Sequence, residues 1–275
     1  MANSIGSMLC PHCGKLISVN AEKCIHCGKK NTRILTGIPL VNNILSGRVS
    51  FVQGIATFNI ILFVAALILQ PNAIFHAQGG INLLGFLSPS DYILQKLGYT
   101  GAIPVIAMGR WWTLMTAIYL HGSLLHIFFN VMWVRQLGHT VEEFYGSSRF
   151  FIIYTVSGIA GFIASTLFQI PATLGASGAI FGLFGAIVAY GKNRGGTFGD
   201  AVYKQSAQWA AVLFFISFLF PNVDNYAHAG GFIGGYIIAT VLGFQEHERE
   251  TVKHRWLAIL CIAATALGFI LNLLG

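Results

Sequence analysis

Ser177 in LGASGAIFG (174–182), His228 in NYAHAGGFIGG (225–235), His126 and Asn130 in HIFFN (126–130), and His121 just upstream all sit within or at the edge of apolar stretches. Polar and ionisable groups in such stretches are costly and usually functional. An imidazole within about 2.6 to 3.2 Å of a serine hydroxyl can take its proton and make it a strong nucleophile. His126 and Asn130, spaced i, i+4, face one way on a helix. With the Ser177 backbone N–H at a helix N-terminus, they can donate to a tetrahedral oxyanion. A second cluster, CPHCGKLISVNAEKCIHCG (10–28), sets Cys10, Cys13, Cys24 and Cys27 in two CxxC knuckles separated by ten residues, each followed by glycine. Four thiolates on two tight turns suit tetrahedral zinc, and a segment so poor in apolar residues would draw its folding energy mainly from the metal.

Positioning the first cluster is a task for membrane helices. The mean hydropathy is +0.68, with 55% hydrophobic and 9% charged residues, which points to a chain whose solvent is largely lipid. Apolar stretches of about 20 residues cross the hydrocarbon core as helices. Candidates lie at 51–70, 123–142, 150–170, 176–191, 207–221, 225–244 and 256–274, so seven spans are expected, the fifth short and the second carrying polar residues. The polar, Cys-containing residues 1–33 do not read as a removable signal peptide, so the first span would serve as the insertion signal. With seven spans, all of the 16 Lys and Arg residues except Lys96 and Arg110 fall on the N-terminal side. That bias predicts a cytoplasmic N-terminus and an outside C-terminus. The net charge of +7 is then spread over cytoplasmic loops near anionic headgroups, and no nucleic-acid partner is expected.

Even-numbered spans all enter from the outside, so residues near their starts share one depth. Ser123 is placed to cap the second helix, with His126 in its first turn. Ser177 lies fifteen residues before Lys192, about 22 Å at ~1.5 Å per residue. The fourth span carries Gly178, Gly182 and Gly185, and the sixth carries Ala227, Gly231 and Gly235. Such small-residue faces let two helix backbones come close, which would bring Ser177 toward His228. Taken singly, Ser177 can be a helix cap, His228 can bond a carbonyl, and His126 with Asn130 can be structural glue. Their convergence in depth and helix parity favours the chemical reading. In the Cys segment, His12 and His26 read as exposed spacers beside four sulfurs. Cys261 reads as a small buried hydrophobe, and two disulfides are disfavoured in a reducing cytoplasm.

HIFFN, GASG (175–178) and AHAGGFIGG (227–235) resemble the HxxxN, GxSG and AHxxGxxxG motifs of rhomboid intramembrane serine proteases, in the same order and on the second, fourth and sixth spans. The resemblance covers about 51–275. It implies an all-α polytopic membrane fold, a six-helix core plus one C-terminal helix; the small zinc-ribbon-like module that precedes it is read from the CxxC knuckles themselves. It further implies that Ser177 is the nucleophile, His228 the base of a two-residue dyad, and His126 and Asn130 oxyanion donors. His121, Phe181 stacked on the base, and the close-packing Gly175, Gly178, Gly231 and Gly235 are supporting residues. Asp224 need not act as a triad acid. Residues 71–122 resemble the long first external loop, in which GRWWT (109–113) departs from the usual Trp-Arg order and leaves the role of Arg110 open. The implied substrates are transmembrane segments of other proteins in the lipid bilayer, cut near the outer side, with no cofactor for catalysis. The chain divides into a ribbon (1–33) holding structural zinc and open to a protein partner, a linker (34–50) and a protease domain (51–275), in a membrane best read as the bacterial inner one. The rival reading is a catalytically inactive rhomboid-like protein that binds membrane clients.

Overall fold

The computed structural model describes residues 7–10, 13–18, 21–29, 44, 49–69, 87–220 and 222–274. Among them are two short strands, β1 (Ser7–Leu9) and β2 (Leu16–Ser18), paired antiparallel with Met8 opposite Ile17. Seven long helices follow: α1 (Phe51–Leu69), α2 (Leu124–Tyr145), α3 (Ser147–Leu167), α4 (Ser177–Arg194), α5 (Gly196–Ser217), α6 (Asn225–Leu242) and α7 (Val252–Leu274). Between α1 and α2 the chain forms shorter turns: a helix at Asp91–Leu97, a π-helical turn at Ile103–Ala107, and a helix at Thr113–Thr116 running into a 3-10 turn at Ala117–Tyr119.

The helix starts are capped by groups that water cannot replace inside a bilayer. Ser123 caps α2 by accepting from His126 N at 3.3 Å, and Asp224 caps α6 by accepting from Ala227 N at 3.0 Å. Glu142, near the end of α2, accepts from Phe51 N (2.7 Å) and Ser50 Oγ (2.8 Å), closing the start of α1. Between α2 and α3 a single residue, Gly146 at φ +91°, reverses the chain, and Glu250 caps α3 by accepting from Ser148 N and Arg149 N.

Helix α4 is the centre of the bundle: every residue from Gly178 to Gly191 is buried, while Lys192 and Arg194 in its last turn reach solvent and face the negative end of its dipole. Its most extensive neighbour is α6. The two meet backbone to backbone, so that a Cβ on Gly178 would lie 3.2 Å from the Ala227 carbonyl and one on Gly182 3.1 Å from the Gly231 carbonyl. The opposite side of α6 packs on α3 in the same way, with Gly230 against Ala160 and Ala164 and Gly161 against the Ala227 carbonyl. Two small-residue faces on one helix thus hold α6 between α3 and α4.

By length and composition α1, α3 and α7 are each apolar enough to cross a membrane, and Thr113–Tyr119 with α2, bent by 94°, passes the same test as a pair, as a broken span or a re-entrant loop. Helices α4, α5 and α6 have the length, at 18, 22 and 18 residues, but are diluted by glycine and polar side chains; α4 is enclosed by protein rather than lipid. The expected fifth span at 207–221 needs correction: the helix begins eleven residues earlier, at Gly196, because the glycines at 195 and 196, both at positive φ, start it and the hydrogen-bond ladder then runs through a polar stretch. Cys261 is half-buried against the main core rather than fully buried. Most of the expected linker lies outside the described residues, but Ile44 is 2% exposed and belongs to the membrane core cluster. The first part of the external loop, 71–86, also lies outside them.

One end of the bundle gathers Glu142, Glu250, Arg149, Arg194 and Glu246 in hydrogen bonds; Arg110 bonds at the opposite end of α7, to Asn272. Replacing Gly231 by valine pushes a side chain into the Gly178 backbone and is expected to destabilise the folded protein by about 1–3 kcal/mol or more. Gly54→Ala, on an exposed face of α1 with open space around it, gains helix propensity of up to ~1 kcal/mol. Thermal unfolding in detergent of the two variants should therefore move in opposite directions.

Candidate active site

Ser177 is the first residue of α4, and Ala176 occupies the cap position without any side-chain cap bond. The hydroxyl is therefore not the helix cap. It makes no hydrogen bond to another described residue. His228 lies in the first turn of α6, 4% exposed, with neither ring nitrogen partnered among the described residues. Phe181 stacks on the His228 ring at 4.2 Å and 20°. Phe181 is one turn after Ser177 on the same face of α4. Gly178 and Ala227, the sequence neighbours of Ser177 and His228, are in backbone contact. Serine and imidazole thus flank one small-residue crossing, though no Ser177–His228 hydrogen bond is formed. Asp224 is committed elsewhere, to its cap and to Ser165 Oγ at 2.5 Å.

His126 Nδ1 accepts from Gly122 N at 3.3 Å, which leaves the proton of a neutral ring on Nε2. That nitrogen faces the turn before Ser177: a Cβ on Gly175 would lie 2.7 Å from it, and Gly175 itself sits at φ +123°. Asn130 Nδ2 donates to the His126 carbonyl at 2.7 Å, so one of its two amide hydrogens is spent inside α2, and Oδ1 is buried without a partner. His121, 1% exposed and without a side-chain partner for its ring nitrogens among the described residues, meets the His126 ring edge-on at 5.1 Å. Gly178 faces Ala227, Gly231 faces Gly178 and Gly235 faces Gly182, all at backbone distance.

The GRWWT segment has a defined job in the structure. Arg110 Nη2 and Trp112 Nε1 both donate to Asn272 Oδ1 in α7, at 2.9 and 2.8 Å. Asn272 escaped the sequence reading, as did Asn59 in α1, which is completely buried. An amide in an otherwise apolar span was the available signal for both. Arg149, expected in a loop, is fully buried near the start of α3, where its guanidinium donates to Gly243 O, Glu248 O and His254 Nδ1.

At the N-terminus the two knuckles share one geometry. Gly14 N donates to Cys10 O and Gly28 N to Cys24 O, with both glycines near φ +70°. The four Sγ atoms lie within 4.8 Å of one another, with Cys10–Cys27 at 3.8 Å and Cys13–Cys24 at 3.6 Å. Four sulfurs about 2.3 Å from a tetrahedral metal stand about 3.8 Å apart, so this donor set fits such an ion. Burial opposes ionisation of Cys24, yet backbone N–H groups of His26 and Cys27 and the neighbouring thiols bring its pKa to about 6. The Lys15 N–H favours the Cys13 thiolate, but burial and the adjacent sulfurs outweigh it and raise that pKa to about 11. A bound dication would reverse the second effect. His26 is exposed; His12 lies outside the described residues. Gly14 abuts Arg249, in the loop between α6 and α7.

Gly175→Ala forces a Cβ both into a left-handed backbone and against the His126 ring. It should lower unfolding stability by about 1–3 kcal/mol, measured against the wild type in the same detergent.

A model of the Rhomboid domain matches residues 108–245, which spans the external segment after the π-turn and all of α2 to α6. The chain is 36% identical over 166 residues to the rhomboid protease GluP of Bacillus subtilis, covering 60% of this chain and 32% of GluP. It is 33% identical over 167 residues to the B. subtilis rhomboid relative YdcA, covering 83% of that protein. It is 35% identical over 167 residues to the mitochondrial RHOMBOID-like protein 6 of Arabidopsis thaliana, covering 53% of it. The chain therefore spans about a third of GluP and about half of the plant protein. With its apolar helices and its match over the site-bearing bundle, the chain is an integral membrane protein that belongs to the Rhomboid family.

Proposed function

We propose that the chain is an intramembrane serine endopeptidase that hydrolyses peptide bonds in or near transmembrane segments of other proteins, with Ser177 as nucleophile and His228 as general base. One observation supports the reading: the α4–α6 crossing is flanked by a half-buried serine and a buried imidazole that make no side-chain hydrogen bond among the described residues, and Phe181 stacks on the ring. Orientation by stacking substitutes for a third, carboxylate member, since Asp224 is occupied by its cap.

In the reaction, the Ser177 oxygen attacks the scissile carbonyl as its proton passes to the imidazole. The carbonyl oxygen takes the displaced electron pair, and the imidazolium then protonates the leaving amine. Water, activated by the same ring, releases the acyl group from Ser177. Donors to the oxyanion are the Ser177 N–H, the His126 Nε2–H facing the Gly175 turn, and the second amide hydrogen of Asn130. The reading requires that serine and imidazole reach hydrogen-bonding distance when substrate is bound, a tightening common at apo sites. The N-terminus is placed in the cytoplasm of a bacterial inner membrane, with the dyad toward the outside. Residues 1–33 form a ribbon holding structural zinc on the four thiolates, joined through 34–50 to the protease domain, 51–275.

Cleavage of a purified transmembrane substrate in detergent should fall at least ~10³-fold in Ser177→Ala and in His228→Ala. Asn130→Ala should lose about 10²-fold in kcat, the usual cost of one oxyanion donor. Absence of cleavage by the wild type as well as the variants would favour a client-binding role. Cys10→Ser with Cys13→Ser should abolish stoichiometric zinc, measured by elemental analysis, and leave cleavage intact, because the thiols adjoin the loop after α6 rather than the end bearing Ser177.

A further inference from the structure

We propose that Asn272 of α7 is a positioning residue for the turn that carries Ser177. The kinetic part of this inference rests on the proteolytic reading above; the structural part does not.

Asn272 is 1% exposed and uses its full hydrogen-bonding capacity. Its Oδ1 accepts from Arg110 Nη2 and Trp112 Nε1, and its Nδ2 donates to Leu97 O (3.0 Å) and Thr116 Oγ1 (3.1 Å). A carboxamide offers two lone pairs and two hydrogens, and all four are spent. The fit is tight: Gly98, at φ +97°, leaves no room for a Cβ against the Asn272 amide and Thr116, and a Cβ on Gly268, one turn earlier on α7, would lie 3.1 Å from Thr116. Thr116 Oγ1 in turn donates to Gly98 O at 2.8 Å.

Two hydrogen-bonded routes lead from this amide to the site. By the first, Thr116 is followed by Ala117, whose carbonyl accepts from Gly175 N at 2.9 Å, two residues before Ser177. By the second, Leu97 and Gly98 lead to Thr100, which exchanges two backbone bonds with Thr173, at 2.9 and 2.7 Å. That pairing continues from Ala102 N to Ile170 O and from Ile103 N to Pro171 O. The stretch 170–175 is thus held by an external segment that is itself pinned to α7. Asn272 lies beyond the residues matched by the Rhomboid model, so the seventh helix contributes to the site without approaching the dyad. A leucine would suit the apolar span but would release Arg110, Trp112, Leu97 and Thr116 together.

The test uses the full chain in detergent, as wild type, Asn272→Leu, Thr116→Val and the lipid-facing control Leu267→Ala. Hydrogen exchange is read at Thr173 and Gly175 and across α4 and α6, and kcat and KM are measured on a transmembrane substrate. Asn272→Leu should speed exchange at Thr173 and Gly175 about tenfold or more while the α4 and α6 amides stay protected. It should lower kcat about tenfold with KM changed less than about twofold. Thr116→Val should do the same to a smaller extent, and it decides the matter if Asn272→Leu does not fold; Leu267→Ala should match the wild type. Unchanged exchange at Thr173 and Gly175, or equal acceleration throughout α4 and α6, overturns the inference. If the wild type cleaves nothing, the proteolytic reading fails while the exchange result still decides the role of Asn272.

Discussion

The close approach of α4 and α6 underlies the remainder of the architecture. Lipid tails are as apolar as leucine, so two helices in a bilayer gain little by burying apolar side chains against each other; they gain by packing atoms densely and bringing backbones together. Gly178, Gly182, Gly231 and Gly235 make that possible, and Gly161, Gly230 and Gly234 repeat the device between α6 and α3. A central helix buried along Gly178–Gly191 then carries a half-buried serine at its start. Register matters as much as distance: Ala227 meets Gly178, the residue after Ser177, and the next residue, His228, stacks on Phe181.

Around this crossing, polar groups fall into two populations. Glu142, Glu250, Arg149 and Asn272 are each engaged in several hydrogen bonds and join elements far apart in the chain. His228 and His121 are buried with ring nitrogens that make no side-chain hydrogen bond among the described residues. Leaving such groups unpaired is expensive, and stability alone would have favoured their pairing or replacement. Burial of a polar side chain by itself does not mark a site, because Asn59, Tyr154 and Thr155 share it within the helix core. What separates the histidines is convergence with a helix N-terminus, an uncommitted hydroxyl and a turn that only glycine can make at Gly175.

Much of this was legible in the residues. Apolar runs marked all seven long helices, and small-residue spacing marked the faces that meet. The motifs picked out Ser177, His228, His126 and Asn130 before any geometry was known, and two CxxC knuckles announced a four-sulfur cluster. Legibility ended where hydropathy and hydrogen bonding part company. The polar first half of α5 was invisible because hydropathy reports lipid contact, whereas a helix continues as long as its ladder does. Arg149 looked like a loop cation, since its three carbonyl and imidazole acceptors come from residues about a hundred positions away. Arg110 had no readable role because its partner, Asn272, is 162 residues distant.

From sequence alone came the apolar solvent the chain suits, the long helices found among the described residues, the candidate residues for chemistry and the family whose motifs they match. Those follow from composition, periodicity and short-range spacing, which are local properties of a chain. Only the tertiary structure decided that Ser177 and His228 flank one crossing, that the Ser177 hydroxyl is not a cap, that Asp224 is already engaged, and that the last helix is tied through an external segment to the turn before the serine. These are facts about register between distant elements, and register is set by which backbones can touch, a quantity that no single stretch of residues contains.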